Sequence, residues 1–126
     1  MGREIDLLVN YPRTKRNIQE RAEEKTEEVR AVARRFGKEF FDGDRKYGYG
    51  GFNYHPRFWQ PVIPTFKEHF GLTSGSSVLD VGCGKGFMLH DLAILIPGIT
   101  VKGIDISGYA VENTIEDMRS HVQVAD

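Results

Sequence analysis

The chain has a single cysteine, Cys83, which excludes an internal disulfide framework and a four-cysteine zinc site. It has almost no net charge: 17 Lys and Arg stand against 18 Asp and Glu, a formal charge of −1. Without an excess of one sign there is no electrostatic basis for expecting nucleic acid or an anionic membrane as partner. No apolar run approaches the roughly 20 residues needed to span a bilayer. The start, Met1-Gly2-Arg3-Glu4-Ile5-Asp6, lacks the apolar stretch of a signal peptide, and Asp6 stands where a myristoylation signal needs Ser or Thr. The histidines (His55, His69, His90 and His121) show no metal-ligand spacing such as H-E-x-x-H, so no metal is expected. A reducing cytoplasm is the expected location. What is present suffices for a packed core: 126 residues, 40% hydrophobic and 11% aromatic.

The first part of the chain reads as two amphipathic helices. Asn17 and Glu20 have the reciprocal spacing of a helix start. Ile18, Ala22, Val29, Val32, Phe36 and Phe40 then recur at helical steps, which predicts one apolar stripe on a charged helix. The acidic run that includes Glu23, Glu24, Glu27 and Glu28 is its solvated face, and Asp42-Gly43-Asp44 closes it with turn chemistry. The segment Tyr47-Gly48-Tyr49-Gly50-Gly51-Phe52-Asn53-Tyr54 combines flexible backbone with flat apolar side chains. From Tyr47 to Trp59 two roles stay open: packing of helices on a sheet, or a lid over a ligand. A second stretch runs through Phe58, Trp59, Val62, Ile63, Phe66 and Phe70, with Pro61 and Pro64 before it or in its first turn.

After Gly71 the pattern changes. Ser77-Val78-Leu79-Asp80-Val81 reads as a strand, Phe87 to Ile96 as a helix closed by Pro97-Gly98, and Thr100 to Ile106 as a second strand. Ser107 can cap a helix through Ala110, Val111, Ile115 and Met118, and His121 to Ala125 reads as a third strand. Strands alternating with helices imply a parallel sheet. The expected fold class is therefore α/β: a doubly wound, partial parallel sheet of about three strands, preceded by two amphipathic helices. The boundary falls between an N-terminal cap segment, 1–71, and a ligand-binding portion, 72–126.

The chemistry lies in Val78-Leu79-Asp80-Val81-Gly82-Cys83-Gly84-Lys85-Gly86. A strand enters a glycine-rich turn and then a helix, a geometry that lets backbone approach a ligand closely. Dinucleotide enzymes place pyrophosphate there, but with the spacing G-x-G-x-x-G. Here the glycines fall at 82, 84 and 86, and position 87 is Phe. A phosphate-binding P-loop is excluded because no Ser or Thr follows Lys85. Asp105, at the end of the second strand, sits where an acid can accept hydrogen bonds from both hydroxyls of a ribose. Cys83 reads as a small filler in the loop and Lys85 as a solvent-facing loop residue.

This stretch closely resembles the first motif of class I S-adenosylmethionine (SAM) dependent methyltransferases, of the type 11-like kind, and Val101 to Ser107 resembles their second. The resemblance implies a Rossmann-like fold with SAM as cofactor and S-adenosylhomocysteine as product. It further implies that Gly82, Cys83, Gly84 and Gly86 form a loop around the methionine and ribose, and that Asp80 positions the methionine ammonium. Asp105 would take the ribose, Ile106 the adenine face and Asp126 the adenine amino group. Residues 47–64 resemble the cap of a small-molecule branch, which makes a small molecule the expected methyl acceptor. The catalytic base is not assigned.

In the complete fold the first strand is central, so a three-strand version leaves it as an apolar edge. The chain is accordingly expected to be part of a longer enzyme, or to complete its sheet as a homo-oligomer. Two further readings stay open: a non-catalytic SAM-binding or interaction module, and a nicotinamide-dependent oxidoreductase, which Phe87 in place of the last glycine disfavours.

Overall fold

The computed structural model describes residues 2–12, 26–44 and 53–126. The elements are α1 (Glu27–Ala33), α2 (Lys38–Asp42), α3 (Pro56–Trp59), α4 (Ile63–Phe70), β1 (Ser77–Val81), α5 (Phe87–Leu95), β2 (Thr100–Asp105), α6 (Gly108–Glu112), a 3-10 turn (Glu116–His121) and β3 (Val122–Val124). The strands are parallel in the order β1-β2-β3. In register, Asp80 lies opposite Gly103, and Asp105 opposite Val124. This is the expected partial Rossmann-like α/β sheet with helices before it.

The core lies between the sheet and α5. Leu89, Leu92 and Ile96 pack on Val101 from β2, joined by Ile63 from α4 and Met118 from the 3-10 turn. Helix α5 approaches so closely because β2 carries Gly103 beneath it. A Cβ there would stand 2.7 Å from both Cys83 Sγ and Leu89 Cδ1. On the other face of the sheet Leu79 is 59% and Val81 72% exposed. As expected, β1 forms the edge of the sheet among the described residues.

The N-terminal region differs from the single long helix expected. Helix α1 starts at Thr26, whose hydroxyl accepts from Val29 N at 3.2 Å, with Glu27 and Glu28 exposed in its first turn. It ends at Ala33, and Phe36 then takes φ 48°. Gly37 caps the start of α2. The apolar stripe is continuous in sequence, but among the described residues a left-handed Phe36 separates two short helices. The Asn17–Glu20 start and Tyr47 to Phe52 lie outside the described residues. The second stretch is also two short helices, with Pro61 between them and Pro64 in the first turn of α4.

The helix expected through Met118 stops at Glu112. Asn113 Nδ2 donates to the Tyr109 carbonyl at 2.8 Å, and Thr114 Oγ1 donates to that of Ala110 at 3.2 Å. Both side chains bond carbonyls of the helix end, where such short polar residues compete with helix continuation. The next residue is taken by the glycine loop, Ile115 N donating to the Lys85 carbonyl at 2.9 Å.

Candidate functional site

A cavity of about 530 Å³ opens at the C-terminal ends of the strands, where open α/β sheets bind ligands. The turn after β1 builds its floor. Gly82, Gly84 and Gly86 have φ of 80°, 57° and 80°, a conformation costly for side-chain-bearing residues. This backbone lets Gly82 N and Cys83 N both donate to the Ile104 carbonyl, at 2.8 and 3.0 Å. The loop is thereby fastened to β2.

Asp105 organises the site. Its two carboxylate oxygens accept from Gly84 N and Ser107 N, each at 2.8 Å. The side chain is buried but lines the cavity. Asp80 also lines it, and burial, with the neighbouring Asp105 charge second, pushes its pKa up to about 6. Two carboxylates facing one cavity repel each other, and a cation between them relieves that repulsion. Ile106 is left 55% exposed at the rim, an apolar surface available to a flat ligand. Asp126 lines the same cavity.

The structure thus brings Asp80, Gly82, Cys83, Gly84, Asp105, Ile106 and Asp126 together around one space. Gly86 is not among the lining residues. A Cβ on it would stand 3.2 Å from Thr114 and 3.3 Å from Met118, so it serves the packing of the loop against the following chain. Cys83 fits the filler reading: it is buried, and burial followed by the Asp80 and Asp105 charges pushes its thiol up to about 11, far from a thiolate at neutral pH.

Lys85 does not face solvent as expected. It is 7% exposed and paired with Asp42 of α2. Phe36, Phe40 and Phe41, which sequence reasoning did not place at the site, wall the cavity together with Trp59, Phe87 and Met88. Their only signal is the clustering of aromatics around Gly37. The Tyr47 to Trp59 segment is described from Asn53 onward. Trp59 lines the cavity, whereas Tyr54 packs on α5 beside Phe87 and His90. Among the described residues no cluster could hold a metal ion, and no helix is long and apolar enough to cross a membrane.

A parallel β-α-β-α-β unit with a glycine turn after β1 and an acid ending β2 defines part of a Rossmann-like fold. Residues 72–123 match the family model of a methyltransferase domain, which supports a partial class I methyltransferase domain in this segment. The match covers less than half of the chain and includes Asp80 through Ile106, but neither α2 nor Asp126. No curated protein matches the chain.

Proposed function

We propose that this chain binds SAM in the cavity above β1 and β2 and serves methyl transfer to a small-molecule acceptor. The observation that carries this reading is the pairing of Asp80 with Asp105 on one cavity. Two acids suit a ligand with a cationic ammonium and no phosphate; a pyrophosphate would meet repulsion from both. SAM fits this donor set. Asp80 would hold its ammonium, Asp105 its ribose hydroxyls, Ile106 the adenine face and Asp126 the adenine amino group.

SAM, when bound, supplies a methyl group on a sulfonium, already activated for departure as a neutral thioether. The protein's share is orientation and exclusion of water. The braced loop fixes the position of the ligand, since the Asp105 carboxylate is held by two backbone N–H groups before anything binds. The wall of Phe36, Phe40 and Trp59 keeps the upper side apolar, and aromatic faces stabilise a nearby cation by roughly 0.5–2 kcal/mol.

Calorimetric titration of the chain with S-adenosylhomocysteine tests this reading. Binding that is weakened at least tenfold in Asp80→Asn is expected. A folded chain that ignores S-adenosylhomocysteine, or prefers NAD, would overturn it.

A further inference from the structure

Helix α2 lies outside the matched methyltransferase segment, yet the chain is fastened to the cavity on both sides of it, to Ser107 after β2 and to the glycine loop. Before it, Ser107 Oγ donates to the Phe36 carbonyl. Ser107 N in turn donates to Asp105, whose other oxygen holds Gly84 N. At its end, Asp42 accepts from Lys85 Nζ on one carboxylate oxygen and from Tyr109 OH, at 2.5 Å, on the other. Between these ties Phe41 is buried, 3.5 Å from where a Cβ on Gly84 would stand, and its ring stacks on Tyr109 at 6.5 Å. Phe36, Phe40 and Phe41 form one wall of the cavity.

Two features make this more than packing. Phe36 holds a positive φ of 48°, a strained backbone state for a side-chain-bearing residue that persists only where the surroundings impose it. Here it accompanies the carbonyl's bond to Ser107. The Lys85–Asp42 pair is the second feature, with side chains 6% and 17% exposed. A buried ion pair is a poor source of net stability compared with apolar packing, but removing one partner strands the other. Such a pair fits a contact that must hold one geometry and can be released as a unit.

We propose that residues 36–42 are a strap that retains the cofactor, and that Asp42 is the positioning residue that latches it to the glycine loop. The inference rests on the reading of the cavity as the SAM site. It says that cofactor release requires Asp42 to leave Lys85 and Tyr109, so the latch sets how long the cofactor stays more than how fast it arrives.

Surface plasmon resonance of the full chain with S-adenosylhomocysteine tests this. Asp42→Asn should release the ligand roughly tenfold faster, the size expected for losing a charge-assisted hydrogen bond, with a smaller change in association. Tyr109→Phe keeps the ring on Phe41 and should accelerate release by a smaller factor. If the wild type binds and both folded single variants release at its rate, the latch is wrong while the cofactor reading stands. Should Asp42→Asn fail to fold, Tyr109→Phe decides by the same criterion. If the wild type does not bind, the cofactor reading and the strap fall together.

Discussion

Asp80 shows how one carboxylate can oppose folding and favour a ligand. Burial and the Asp105 charge raise its pKa to about 6, above the unfolded value near 4. The folded state therefore holds the proton more tightly. This contribution to stability is full below the unfolded pKa and is lost as pH rises through the folded one. Asp80→Asn should melt higher than wild type at pH 7.5 and with no advantage at pH 3.5, measured by thermal denaturation at both. A cationic ligand reverses the preference, because it favours the charged form. Affinity for S-adenosylhomocysteine should fall as pH drops below about 6 and lose that dependence in Asp80→Asn. Gly103 is the second decisive residue. A methyl group there meets Cys83 and Leu89 at 2.7 Å, in a layer where neither can withdraw freely. Gly103→Ala should cost about 3 kcal/mol, the upper range for overpacking, read by urea denaturation.

At the scale of elements, the N-terminal helices are attached to the sheet layer by polar contacts as well as apolar ones. Asp91 of α5 is fully buried and accepts from Tyr54 OH at 2.5 Å and from Gln60 Nε2 at 3.2 Å on one oxygen. Burial, and then the bond to Asp91, push the Tyr54 hydroxyl up to about 12, so it stays a donor across the physiological range. Tyr54→Phe would leave Asp91 with Gln60 as its remaining donor among the described residues. It should destabilise the chain by about 2 kcal/mol, within the range for a buried polar group that loses a partner, as seen in the urea midpoint. The helices differ from expectation for local reasons. Hydrophobic spacing continues through Phe36 and through Ile115, so periodicity alone carries a helix past both. A strained Phe36, and the Asn113 and Thr114 side chains, end those helices through contacts that spacing does not report.

For the whole molecule, the order β1-β2-β3 leaves β1 at the edge among the described residues, and Leu79 and Val81 are exposed on one sheet face. Unpaired strand edges with apolar neighbours promote association with another chain. The chain should sediment with a mass that grows with concentration, and Val81→Lys should reduce that growth. A monomer at all concentrations would show that this face does not drive self-association.

The sequence by itself determined the sheet, the glycine turn and the residues facing the cavity from β1 and β2. These are legible because each depends on neighbours within a few positions: alternating β-branched residues, glycines at alternate places, an acid at a strand end. Tertiary structure alone decided the rest. Lys85 looks like a surface loop residue until α2, 43 positions away along the chain, brings Asp42 against it. Phe36 and Phe40 look like the stripe of one helix until Ser107 captures the Phe36 carbonyl and turns the chain. Local pattern specifies an element's type, but which distant partner completes a buried charge or carbonyl is settled only when the layers pack and exclude water.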